Sequence, residues 1–149
     1  MHVDVATIND PEVRELAREA ENFLTSHTWC RSVVAGRLAF AIPAVLGVFL
    51  FDIVPAQPEI DATLWVVVGD VPPAYLAVDP DASWQSALAG YVDEMRLWIA
   101  AVRAGTPTTD LIPVDAEPTL EHADMLASRL DFIEAQLIEV PPASIESAG

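Results

Sequence analysis

Residues 64–78 read LWVVVGDVPPAYLAV, and the reading of this stretch decides the fold. Leu64 to Val68 is an unbroken run of β-branched, aliphatic and aromatic side chains, the composition of a strand buried on both faces or lying in mid-sheet. Gly69 and Asp70 end it, because both residue types are depleted in strands and frequent in turns. Pro72 and Pro73 carry no amide hydrogen, and Pro72 also drives Val71 into an extended conformation. Ala74 to Val78 then resumes the apolar run, with Tyr75 inside it. The stretch is predicted to be an antiparallel strand pair joined by a stiff corner.

Upstream, the β pattern begins near Val33. Arg37 to Ile42 is predicted as one strand, Pro43 breaks it, and Val45 to Ile53 forms the stronger strand, with Phe49, Phe51 and Ile53 on one side. PAQPEIDA, 55–62, is a polar loop. Before the sheet, Asp10-Pro11 opens a helix with an aspartate cap and proline in the first turn. Val13, Leu16, Ala17, Ala20, Phe23, Leu24 and His27 share its inner face, while Glu15, Arg18, Glu19 and Glu21 lie opposite. Residues 1–9 read as a lead-in.

Downstream, Asp79-Pro80 is predicted to open a second helix that ends at Gly105. Trp84, Leu88, Tyr91, Met95, Trp98 and Val102 form its apolar stripe. Leu111 and Ile112 in the connector are expected to tuck against the body. Glu117-Pro118 opens a third helix, with Leu120, Ala123, Ala127, Leu130, Ile133 and Leu137 inward, and Pro141-Pro142 stops it. The expected fold class is therefore α+β: an antiparallel sheet of three to four strands over about 37–78, with three helices, about 10–29, 80–104 and 118–139, packed mainly on one face. Residues 1–140 are expected to form a single domain, with 141–149 a disordered tail.

Composition bounds the function. The chain has 149 residues, 52% of them apolar, and its mean hydropathy is +0.34, so a real core is expected. The net charge of −16 arises from 23 acidic residues against 7 arginines, with no lysine. Such a field argues against binding a phosphate backbone, so no nucleic-acid partner is expected; it suits a basic protein partner, a divalent cation or simple solubility. The one cysteine, Cys30, excludes an internal disulfide and a cysteine-rich zinc site and fits a reducing, cytoplasmic setting. MHVDVATINDPE has neither a basic nor an apolar signal region, so no secretory signal is expected. Leu38 to Phe51 is the one membrane-like run. Its 14 uncharged residues fall short of the roughly 18 to 20 a spanning helix needs, and Pro43 and Gly47 interrupt it, so buried strands are expected and no membrane association.

Asp52 and Asp70 lie in or beside apolar strands. If both faced one cleft they would make a paired-carboxylate acid/base site; otherwise Asp52 pairs with Arg37 on the neighbouring strand and Asp70 simply shapes a turn. Tyr75 and Trp65 complete the candidate binding set, and Trp65, Trp84 and Trp98 suit either a pocket or a core. His27 and Cys30 form an H-x-x-C pair without the further ligands a zinc site requires, and the packing role is favoured. His122 is expected on the surface. On the third helix Glu121, Asp124 and Asp131 share one side, read as a solvated face in preference to a partner-binding one. Pro72-Pro73-Ala74-Tyr75 matches the P-P-x-Y ligand pattern of WW domains, yet it is clamped between apolar strands, so the match is taken as accidental. Phosphate loops, nucleophile elbows and metalloprotease helices are missing, so no catalytic residue, metal or cofactor is assigned.

The segments LGVFLFDI, LWVVVGDVPPAYL, YVDEMRLWI and RLDFIE together resemble a bacterial family of small acidic proteins known only as a domain of unknown function. The resemblance covers roughly Trp29 to Glu139 and implies a small soluble domain with no transferable activity. The leading expectation is a non-enzymatic, acidic interaction or regulatory module, with a protein partner or a homodimer contact; an inhibitor or immunity partner of a basic toxin is one version of it. The alternative is a small-ligand binder or enzyme with a carboxylate-containing pocket over the sheet.

Overall fold

The computed structural model describes residues 3–77, 79, 81–109, 111, 114 and 117–138. The expected tail, 141–149, lies outside the described residues, as do Val78, Pro80 and Ile112. Among the described residues the chain is α+β, with a five-stranded antiparallel sheet and three α-helices. It separates into two compact units, residues 1–87 and 88–149.

In the first unit the strands are β1 (Val3–Asp4), β2 (Cys30–Ile42), β3 (Leu46–Pro55), β4 (Thr63–Gly69) and β5 (Ala74–Leu76). They form a meander in which each strand pairs with the next in order. The sheet is thus larger than the expected three to four strands. The lead-in contributes the edge strand β1, with Val3 opposite Leu38 and Asp4 opposite Arg37. Strand β2 starts seven residues before the predicted Arg37. Its period-2 alternation is broken by register shifts at Cys30/Ser32, Val33/Ala35 and Leu38/Phe40, which hides a strand from a reading by pattern. The last shift has a further result. Leu38 packs with the core on one face, whereas Phe40 lies opposite Val48 and stacks on Trp84, ring centroids 4.0 Å apart and 9° from parallel.

The predicted pair at 64–78 is present as β4 and β5, with Trp65 opposite Leu76 and Val66 opposite Tyr75. The Ala74-Tyr75 half of the P-P-x-Y match is therefore engaged in a strand. Helix α1 (Pro11–Thr25) is capped by Asp10, whose Oδ1 accepts from the amides of Glu12 and Val13 at 2.8 and 3.2 Å. It ends sooner than the expected 29, leaving His27 and Trp29 in the link to β2. Its buried Leu16, Ala20 and Leu24 pack on Phe49, Phe51, Ile53, Leu64, Val66 and Val68. Each large aliphatic side chain buried this way contributes roughly 1.5–3 kcal/mol. Cys30 sits in the same cluster, in the packing role expected of it.

Helix α2 (Trp84–Ala104) begins four residues later than the predicted Asp79-Pro80 start. The hydroxyl of Ser83 takes the capping role, accepting from the Ser86 amide at 3.1 Å, while the Asp79 carboxylate turns back on the Asp81 amide at 2.9 Å. Gly105 closes the helix with φ 72°, and the Thr106 amide reaches the Ala101 carbonyl at 2.9 Å.

In the second unit, Leu88, Tyr91, Met95, Trp98 and Val102 are all buried. Burial pushes the Tyr91 hydroxyl far above the usual phenol range. Helix α3 (Leu120–Ile133) starts after Thr119, whose hydroxyl accepts from the His122 amide at 3.2 Å, and continues into a wider turn, Glu134–Ile138. Ala123, Leu130 and Ile133 are buried as expected, but Leu120, predicted inward, is 61% exposed because it occupies the first helical position. The acids of α3 do more than meet solvent. Arg103 pairs with Asp124 at 2.8 Å, and Arg96 with Asp131 at 2.9 Å and also with Glu134, so the two helices run antiparallel. Hydrogen bonding by Glu134 is the main reason the Arg96 guanidinium holds its proton more firmly than usual. Among the described residues, no helix is long and apolar enough to cross a membrane.

Candidate functional site

The four sequence candidates do not form one site. Asp52 lies opposite Thr63 at one end of the β3–β4 ladder; Gly69, next to Asp70, lies opposite Leu46 at the other. Six residues of strand separate them, about 20 Å at roughly 3.3 Å per residue. The Asp52 carboxylate accepts from Arg37 Nη2 at 3.2 and 3.4 Å and from Thr63 Oγ1 at 3.0 Å. A paired-carboxylate centre is therefore not assembled by these two residues. Trp65 is fully buried, and its indole donates to the Asp79 carbonyl at 3.1 Å, which makes it a core residue and not a pocket wall. Asp70 and Tyr75 each line a hollow, but different ones.

The first hollow, of about 500 Å³, lies between α1 and the two turns at the near end of the sheet. It is lined by the apolar Leu16 and Val45 and by the carboxylates of Glu12, Glu15, Glu19 and Asp70. The turns are tightly specified. The Val45 amide closes on the Ile42 carbonyl at 2.9 Å, with Pro43 and Ala44 between them, and Ala44 has φ 64°. The Asp70 amide bonds the Val45 carbonyl at 2.7 Å, which ties the second turn to the first. Gly69 has φ 130° and packs so closely on Val45 that a β-carbon there would overlap the Val45 carbonyl. Glycine is required at this point.

Four carboxylates, those of Glu12, Glu15, Glu19 and Asp70, line the hollow. Burial raises the Glu19 carboxyl above its ordinary range, a donated hydrogen bond from the Gly69 amide opposes the rise, and the Glu15 charge adds to it. Part of the acid is already answered: Arg18 pairs with Glu15 at 2.6 Å. Sequence reasoning set Glu15 and Glu19 on the outer face of α1 and did not single them out with Glu12 as a site. Their juxtaposition with Asp70 depends on where α1 crosses the sheet, which spacing along the helix does not show.

The second hollow, about 430 Å³, is lined by Trp29, Leu64 and Tyr75 together with Gln57, Glu59 and Asp61 of the 55–62 loop. Trp29 and Tyr75 belong to a ring cluster with Phe23 and His27. Trp29–Tyr75 centroids are 4.7 Å apart, His27–Trp29 4.8 Å and Phe23–His27 4.9 Å. The Phe23 carbonyl lies 2.8 Å from His27 Nδ1. A carbonyl can only accept, so Nδ1 carries the proton. Sequence reasoning named Tyr75 but missed Trp29, Glu59 and Asp61, whose only signal was a polar loop between apolar strands.

Among the described residues, no group of three or more His, Cys, Asp or Glu is placed to hold a metal ion. Cys30 is buried, and burial raises its thiol above the usual range, the opposite of what an activated nucleophile needs. No family model matches the chain, and neither a curated protein nor a solved structure matches it.

Proposed function

We propose that this chain is an acidic protein-interaction module that receives a basic side chain, and the segment carrying it, in the hollow between α1 and the turns at Ala44 and Asp70. One observation carries the reading: Glu12, Glu15, Glu19 and Asp70 line one hollow together with Leu16 and Val45. An arginine or lysine needs both parts, since its aliphatic stem packs on apolar surface while its charged head meets carboxylates. The net charge of −16 supplies long-range steering toward such a partner. The raised Glu19 carboxyl supports the same reading, because a partly desolvated carboxylate gains from a cation placed beside it. The engagement of Asp52 by Arg37 and Thr63 weighs against an acid/base enzyme built on Asp52 and Asp70.

The test is fluorescence anisotropy with short arginine-containing peptides and two triple variants of equal charge change. Glu15→Gln/Glu19→Gln/Asp70→Asn is expected to weaken binding about tenfold. Asp93→Asn/Glu117→Gln/Glu121→Gln, at exposed positions elsewhere, is expected to weaken it far less. Equal losses in the two would mean attraction to the whole acidic surface and would remove the hollow from the account.

A further inference from the structure

The second hollow plays no part in the reading above, and its chemistry is different. Trp29 and Tyr75 pack edge to face, with centroids 4.7 Å apart and 60° between the planes, and both rings line the hollow. His27 contacts both, Trp29 at 4.8 Å and 34° and Tyr75 at 5.4 Å and 80°, and Phe23 lies 6.2 Å from Tyr75. The ring pair is therefore held in place by two further rings. The 55–62 loop, which lines the same hollow, is tied down at both ends. The Ala56 amide donates to the Trp29 carbonyl at 2.7 Å, and the Ile53 amide to the Ala62 carbonyl at 2.8 Å. An internal turn, the Ile60 amide to the Gln57 carbonyl at 3.2 Å, sets the loop between those anchors. Glu59 and Asp61 are thereby placed on the rim of the same hollow as the two rings.

We infer that this hollow is a binding site for a small organic cation of the quaternary ammonium class, seated against Trp29 and Tyr75 and facing Glu59 and Asp61. The ring faces carry negative potential and attract a cation without needing its hydrogen bonds. A quaternary ammonium donates none and is weakly hydrated, so it loses little on entering. The two carboxylates provide diffuse negative charge at the mouth. An inorganic divalent ion would require several converging oxygens, and among the described residues no such group is assembled. Anions are repelled by the rim, as are zwitterions whose carboxylate lies next to the ammonium. The volume of about 430 Å³ accommodates a trimethylammonium headgroup with a short tail.

The experiment titrates choline chloride into the full chain and follows the indole N–H resonances by NMR, with 3,3-dimethyl-1-butanol as the neutral isostere of identical shape. Choline is expected to saturate the Trp29 signal in the millimolar range, with the isostere about tenfold weaker. Glu59→Gln/Asp61→Asn, at two exposed loop positions, is expected to weaken choline about fivefold and leave the isostere unchanged. Tyr75→Leu keeps an apolar strand residue and is expected to abolish the preference for the cation. Equal affinity for choline and its isostere would overturn the inference, as would a double variant that binds choline like the parent. So would the lack of a saturable Trp29 shift up to about 100 mM. The indole resonance of Trp84, which stacks on Phe40 and does not line this hollow, serves as the internal control for non-specific salt effects.

Discussion

Arg37 of β2, registered opposite Leu50, reaches diagonally to Asp52 of β3, Nη2 to Oδ1 3.2 Å, and Thr63 of β4 donates to the same carboxylate at 3.0 Å. Three adjacent strands thus converge on one acid. The side chains of Arg37 and Asp52 are 39% and 40% exposed, so solvent screens much of their attraction. Asp52→Ala is expected to destabilise the fold by about 1 kcal/mol in urea unfolding, and a double-mutant cycle with Arg37→Ala to give a coupling near 0.5 kcal/mol. A coupling of zero would mean that strand register alone holds the pair.

The two turns beside the acidic hollow carry opposite backbone errands. Gly69 holds φ 130°, and a side chain there meets the Val45 backbone, which cannot rotate away. Gly69→Ala is expected to cost about 2–3 kcal/mol or more. Ala44, at φ 64°, pays the strain an L-residue meets in the left-handed region, about 1–2 kcal/mol. Ala44→Gly relieves it, at an entropic cost of about 0.5–1 kcal/mol, so a net gain of about 0.5 kcal/mol is expected. Thermal unfolding of the two variants checks both signs.

Stability should depend on pH through Glu19. Burial is the main reason its carboxyl is raised above the ordinary carboxylate range in the folded state. A raised carboxyl means that the folded state disfavours the ionised form. The resulting penalty is absent below the unfolded-state value and complete above the folded one. Glu19→Gln is therefore expected to raise Tm at pH 7 and to leave it unchanged at pH 3, where the carboxyl is protonated in both states. The same Tm difference at both pH values would contradict this origin.

Cys30 offers a probe of the α1 core. It is buried among Leu24, Phe51 and Ile53, and its thiol is raised by that burial. Alkylation by iodoacetamide is expected to be at least about 100-fold slower in the native protein than in urea, because reaction requires local opening. Labelling at the rate of an exposed thiol would show that the β2 entry is open.

The legible parts of this fold were those in which local chemistry and burial agree. Asp10-Pro11 capped α1 as written, Gly105 closed α2, and the run from Leu64 to Val68 became the body of a mid-sheet strand. The misread parts were those in which a second local option competed. Ser83 displaced Asp79 as the α2 cap, because a serine hydroxyl reaches the first free amides as well as an aspartate does. Strand β2 was cut short because the register shifts between Cys30 and Ser32 and between Val33 and Ala35 break the alternation by which strands are recognised. Leu120 counted as inward by spacing, yet it stands on the first turn of α3, where the helix has little to pack against.

The sequence by itself determined the α+β class, the apolar sheet centre and the strongly negative field, since each follows from composition and near-neighbour spacing. Only the tertiary structure decided which polar residues meet. The length of the β3–β4 ladder carried Asp52 and Asp70 to opposite ends of the sheet, the crossing of α1 over that sheet set Glu12, Glu15 and Glu19 beside Asp70, and the return of the 55–62 loop brought two acids to Trp29 and Tyr75. Those meetings depend on contacts between residues far apart in the chain, and spacing along a sequence carries no record of them.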